Sequence, residues 1–202
     1  MSVIFGILGG VPFTPLVVLW VNFLVQVPIA IALGFDKASP GLMERKPRPL
    51  TQPVLSGPQW VRLIFTGFLV AVGTLFVETY YSQAVSPALA GTMGFVVFSL
   101  FNIAVGLSAR SETGTVFTMD TVADQQQLKL YGLALLFVLL PVEFGIGDRI
   151  LGTVPMSGQQ WLVCLAFAFA LILIDEVVKF FMRRARSSRE KADVTKAVSQ
   201  TA

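Results

Sequence analysis

Histidine is absent from this 202-residue chain, and cysteine occurs once, at Cys164. Without an imidazole there is no His-based metal site and no Ser–His or Cys–His couple for nucleophilic catalysis. A lone cysteine in an apolar run cannot close an intrachain disulfide, and Cys164 reads as a small buried or lipid-facing residue. Charge is scarce as well. Asp, Glu, Lys and Arg make up 13% of the residues, where an ordinary soluble domain carries about a quarter. No glycine-rich phosphate loop and no nucleophile set beside a base can be found, so no catalytic residue is assigned. Basic and aromatic residues do not alternate as they do on a nucleic-acid-binding surface, so no nucleic-acid partner is expected. Met1 to Phe35 contains no charge at all, and without a basic leading region it does not read as a secretory signal peptide.

What the chain has instead is long apolar runs. Hydrophobic residues make up 54% of it, the mean hydropathy is +0.74, and the apolar residues gather into uncharged blocks. About 20 helical residues cross a ~30 Å hydrocarbon layer. The expected fold is therefore all-α: an integral membrane bundle of about five full spanning helices in the lipid bilayer, preceded by the stump of another.

That stump is read at Val3 to Leu8, cut off by Gly9-Gly10-Val11-Pro12 and Pro15, which break or bend helices. Spans are expected at about 16–33, 60–81, 90–109, 130–144 and 161–182. Residues 36–59 form a proline-rich loop in which Lys37, Arg45, Lys46 and Arg48 outnumber Asp36 and Glu44. A second basic cluster, Lys179, Arg183, Arg184, Arg186, Arg189 and Lys191, follows the last span. Most of the chain's 15 basic residues fall in these two clusters. With both on the cytoplasmic side the topology is self-consistent, and the C-terminus is cytoplasmic, in a cell-membrane protein. The chain divides into a membrane domain, residues 1–182, and a basic tail, residues 183–202, expected to be disordered.

Polar side chains at membrane depth need a partner or a task. Asn22 and Gln26 are four residues apart, on one face of a regular helix. Pro28 follows them; it removes a backbone hydrogen bond and displaces a carbonyl near residue 24, which would locally unwind the helix. Amide oxygens beside a freed carbonyl could ligate a hard cation. Interhelical amide hydrogen bonds explain the same residues, and on spacing alone that packing reading is preferred. Asn102 lies in the third span among small residues including Gly91, Gly94 and Gly106, and packing is again the default. Glu78 and Glu143 read as interfacial carboxylates reaching water, Glu143 being the deeper candidate for an ion pathway. Asp175 and Glu176 are placed to pair with Lys179 one turn on.

The stretch Leu19-Trp20-Val21-Asn22-Phe23-Leu24-Val25-Gln26-Val27-Pro28-Ile29-Ala30-Ile31-Ala32-Leu33-Gly34-Phe35-Asp36 resembles the sixth membrane helix of calcium- and sodium-pump-like P-type ATPases, roughly L-W-x-N-L-x-T-D-x-x-P-A-x-A-L-G-F. Leu42-Met43-Glu44-Arg45-Lys46-Pro47-Arg48 resembles the loop after it. Ser108-Ala109-Arg110-Ser111-Glu112 is similar to the end of the eighth helix. Leu151 to Ser157 with Trp161, and Glu176-Val177-Val178-Lys179, resemble the ninth-to-tenth loop and the last helix. The likeness runs through nearly the whole chain in order.

The resemblance implies a transport domain: the end of the fifth helix, then the sixth to tenth, without the phosphorylation, nucleotide-binding and actuator domains. It implies no ATPase activity for this chain alone and a separate partner chain carrying the ATP-using half. In calcium-pump members the sixth helix gives an Asn, a Thr and an Asp to the ions. Asn22 is kept here, but the Thr position is Val25 and the Asp position is Gln26. Asn102 occupies the eighth-helix position that is Glu or Gln in some members. A bound cation would thus lack carboxylate ligands, which favours a monovalent ion or none, since affinity follows ligand charge. No cofactor is expected. The alternative is a degenerate, non-enzymatic membrane protein acting as a structural or regulatory partner. An independent passive channel fits less well, because five helices with few intramembrane charges offer little polar lining.

Overall fold

The computed structural model describes residues 13–35, 57–109 and 125–201. The proposed stump at 3–8 and the basic loop at 36–56 lie outside them. Among the described residues five helices are long and apolar enough to cross a membrane: Pro15–Gly34 (α1), Gly57–Ala84 (α2), Pro87–Ala109 (α3), Gln125–Glu143 (α4) and the first part of Gly158–Thr201 (α6). A short helix, α5 (Ile146–Ile150), sits in the loop between α4 and α6. No strand occurs among the described residues.

Helix starts follow their local chemistry. Thr14 caps α1, its hydroxyl accepting from the Val17 amide at 3.3 Å, and Pro15 supplies a first-turn residue with no amide to satisfy. Ser86 accepts from the Leu89 amide at 3.2 Å and Pro87 opens α3. The observed helices exceed the expected spans because polar starts such as Gly57–Trp60 and Gln125–Lys129 are helical too. Beyond Met182, α6 continues unbroken to Thr201, over the stretch that the sequence reading leaves as a disordered tail.

Connections alternate, so one end of the bundle holds the α2–α3 and α4–α6 loops (the hairpin end). The other holds the α1–α2 and α3–α4 connections and the exit of α6 (the basic end). Helix α3 is central: 67% of its span is buried, against 17–33% for the other four. Close approach to it depends on missing side chains. A Cβ on Gly73 of α2 would lie 2.9 Å from the Phe101 ring of α3, and one on Gly106 of α3 would collide with Ile29 of α1. Trp20 of α1 donates its indole N–H to the Phe137 carbonyl of α4 at 2.8 Å. The α4–α6 loop is tied down by Thr153, whose hydroxyl donates to the Pro141 carbonyl at 2.6 Å, and by the Val154 amide, which donates to Thr92 of α3 at 3.0 Å.

Candidate cation-transport site

Helix α1 is not regular where the polar residues sit. Val21–Val25 is a π turn between two α-helical halves, and the Gln26 amide donates to the Val21 carbonyl five residues back. Pro28 is the cause. It has no N–H and its ring crowds the carbonyl four residues earlier, and a wider turn just before it relieves both problems. Pro28 is buried inside a continuous helix, so the unwinding expected from sequence takes the milder form of a widened turn. Such turns recur at functional sites.

The wide turn separates the two α1 amides. Gln26 is half-buried and donates its Nε2 to Asn102 Oδ1 of α3 at 2.9 Å. Asn102 in turn donates Nδ2 to the Phe98 carbonyl at 2.7 Å. Asn22 is exposed on the outer face of α1, beside Leu19 and Phe23. Val25, at the position where the resemblance has a Thr ligand, is fully buried. The structure therefore joins Gln26 with Asn102, sets Pro28 behind them and leaves Asn22 facing outward.

Glu143 is elsewhere. It is exposed at the last turn of α4, where its carboxylate accepts from the Trp161 indole at 2.7 Å. This bond joins the end of α4 to the start of α6. Among the described residues no three His, Cys, Asp or Glu side chains converge on one point. The oxygens gathered at the α1–α3 contact are those of amides and main-chain carbonyls.

At the basic end the expected pairing of Asp175 and Glu176 with Lys179 is present, at 3.6 and 3.8 Å. Sequence spacing missed the rest. Arg62 of α2 grips Asp175 through two hydrogen bonds, at 3.0 and 2.9 Å. Lys179, whose side chain is 1% exposed, donates to the Ser108 carbonyl at 2.8 Å. That carbonyl belongs to the last turn of α3, where helices leave acceptors unsatisfied and favour a cation. The network ties α2, α3 and α6 together and flanks a cavity of about 170 Å³ lined by Gln59, Arg62, Thr66, Ser108, Asp175 and apolar side chains.

Glu78 departs most from its sequence reading. Only six residues before the end of α2, it nevertheless points inward and is fully buried against α3.

Residues 10–181 match the family described as "Cation transporting ATPase, C-terminus". The chain is 28% identical over 170 residues to a calcium-transporting ATPase of Listeria monocytogenes, covering 83% of this chain and 19% of that protein. It is 27% identical over 194 residues to calcium-transporting ATPase 1 of Schizosaccharomyces pombe, covering 96% of this chain and 21% of the relative. With a calcium-transporting ATPase of Bacillus subtilis it shares 28% over 162 residues, 78% of this chain and 18% of that one. The chain thus spans about one fifth of the length of the curated relatives it matches. Five apolar spans with α3 at their centre and a family match across most of the sequence agree: this is an integral membrane protein, and it belongs to the family of cation-transporting ATPase C-terminal domains.

Proposed function

We propose that this chain supplies the ion-path half of a P-type cation pump in the cell membrane. In this reading the basic end and the C-terminus lie in the cytoplasm, and a separate chain contributes the ATP-using half. The chain alone has no ATPase activity. The observation that carries the reading is the position of Asn22. Its amide lies about 10 Å along the helix from Pro15 and about 18 Å from Gly34, on an outer face otherwise made of Leu16, Leu19 and Phe23. An amide facing hydrocarbon at that depth is costly, and further helices packed on this face would remove the cost. They would also bring ligands beside Asn22, with the Gln26–Asn102 pair on the inner side of the same helix.

The cargo that suits this set is a monovalent cation. Neutral amides hold a divalent ion weakly, and Gln26 stands where the resemblance has an Asp. The calcium in the relatives' names describes those proteins. Affinity purification of the tagged full-length chain from its native membrane tests the proposal. Near-stoichiometric recovery of a protein bearing Asp-Lys-Thr-Gly-Thr is expected, and recovery of the chain alone overturns it.

The hydrogen bond from Gln26 to Asn102, which itself donates to the Phe98 carbonyl, favours a second reading, a non-enzymatic structural or regulatory partner, because these bonds join α1 to α3 without an ion. Alanine at Asn22 and at Gln26 separates the two. Abolished cation transport in either variant supports the pump, and unchanged transport in both supports the structural partner.

A further inference from the structure

Glu78 is 0% exposed, and neither of its carboxyl oxygens has a hydrogen-bond partner. Its side chain fills a groove left open by a glycine. A Cβ on Gly94 of α3 would lie 2.9 Å from Glu78 Cγ and Oε1 and 3.0 Å from Cδ. One turn back on α2, buried Thr74 already donates its hydroxyl to the Val70 carbonyl at 2.8 Å. Polar compensation from its own helix is therefore missing.

Charge compensation is missing too. Helix α2 packs on α3 and α6. Across all of Pro87–Ala109, α3 carries no Asp, Glu, Lys, Arg, Tyr or Cys, and between Gly158 and Ile174 α6 offers only the buried Cys164. On α2 itself Tyr80 and Tyr81 point outward or lie half-buried. Arg62 stands 16 residues away, about 24 Å along the helix, and is held by Asp175.

A carboxylate taken out of water with neither oxygen bonded bears the full cost of its charge. Three things can neutralise it: a cationic side chain, a metal ion or a proton. Neither Pro87–Ala109 of α3 nor residues 158–174 of α6 provide a cationic side chain. A hard metal ion needs several further oxygens around it, and among the described residues no three Asp, Glu, His or Cys side chains come together to supply them. A proton needs only the carboxyl itself.

We propose that Glu78 is a proton-binding site of this bundle. It takes one proton from water and holds it as a neutral carboxylic acid in the Gly94 groove. The site is separate from the Gln26–Asn102 pair, which lies eight residues, about 12 Å, further along α3, and it does not depend on the partner chain proposed above. About 9 Å of helix separates Glu78 from the end of α2 at Ala84. Parting α2 from α3 at the hairpin end admits water to the carboxyl, and the proton returns to solvent.

Infrared spectroscopy of the full chain in lipid nanodiscs at neutral pH tests this. Wild type minus Glu78→Gln should show the carbonyl stretch of one protonated carboxyl per chain, at the frequency of an acid without hydrogen bonds and slow to exchange in deuterated water. Loss of an ionised-carboxylate pair of bands instead, or no difference, overturns the proposal. Should E78Q fail to fold, the wild-type chain carrying carbon-13 glutamate gives the same reading by NMR. One side-chain signal at the neutral-acid position is expected, and all signals at the ionised position overturn it.

Discussion

Asp175 of α6 and Glu78 of α2 are both buried carboxylates in one bundle, but only Asp175 is surrounded by charge. It accepts two hydrogen bonds from Arg62, with Lys179 3.6 Å away. Glu78 faces a glycine and a helix devoid of ionisable groups. A carboxylate fixed between two cations and an α3 carbonyl contact works as a joint, because every change of charge there leaves another charge unpaired. A carboxyl alone in an apolar groove has nothing to hold in place, and its protonation disturbs no partner. Partner sets, more than depth, separate structural from ligand-binding acids in this protein.

The comparison breaks most readily at the joint. Asp175→Ala leaves Arg62 and Lys179 buried without their shared carboxylate. A loss of about 3 kcal/mol is expected, the lower part of the range for breaking a buried pair because Arg62 is 17% exposed. Unfolding in mixed detergent measures it, and a loss under about 1 kcal/mol would equate the joint with a surface ion pair. Gly94→Ala ranks next, at about 1–3 kcal/mol for forcing a methyl against the Glu78 side chain. In a Glu78→Ala background the same substitution should cost clearly less, and a double-mutant cycle detects that coupling. Full additivity would show that the groove does not hold Glu78.

Gln26→Leu removes the donor to Asn102 Oδ1 and should cost about 1 kcal/mol, read by the same unfolding assay. The smallest effect is expected for Glu78→Gln, within about 0.5 kcal/mol of wild type. A loss as large as that of Asp175→Ala would make Glu78 a joint like Asp175.

Apolar run length made the five spans legible in the sequence, and their order was unambiguous. Helix ends were less so, since Gly57–Trp60 and Gln125–Lys129 are too polar to read as membrane helix yet fold as its continuation. The Lys179 pairs with Asp175 and Glu176 follow from spacing along one helix. The Arg62 clasp joins residues 113 positions apart, a separation at which no local pattern exists. Asn22 and Gln26 were visible as candidates, but their divergence was not, because regular 3.6-residue spacing puts them on one face. Pro28 was the available clue, since a proline at mid-span often marks an irregular turn just before it. For Glu78 the expected span end at residue 81 placed it three residues from the interface, whereas the helix runs on to Ala84, and the small residue at Gly94 on the next helix was the available clue.

The π turn of α1 contains one residue more than an α-helix needs, much as a dislocation carries an extra half-plane in a crystal. The surplus residue turns the helix face between its two halves, so Asn22 bears outward while Gln26, just past the turn, is bonded to Asn102.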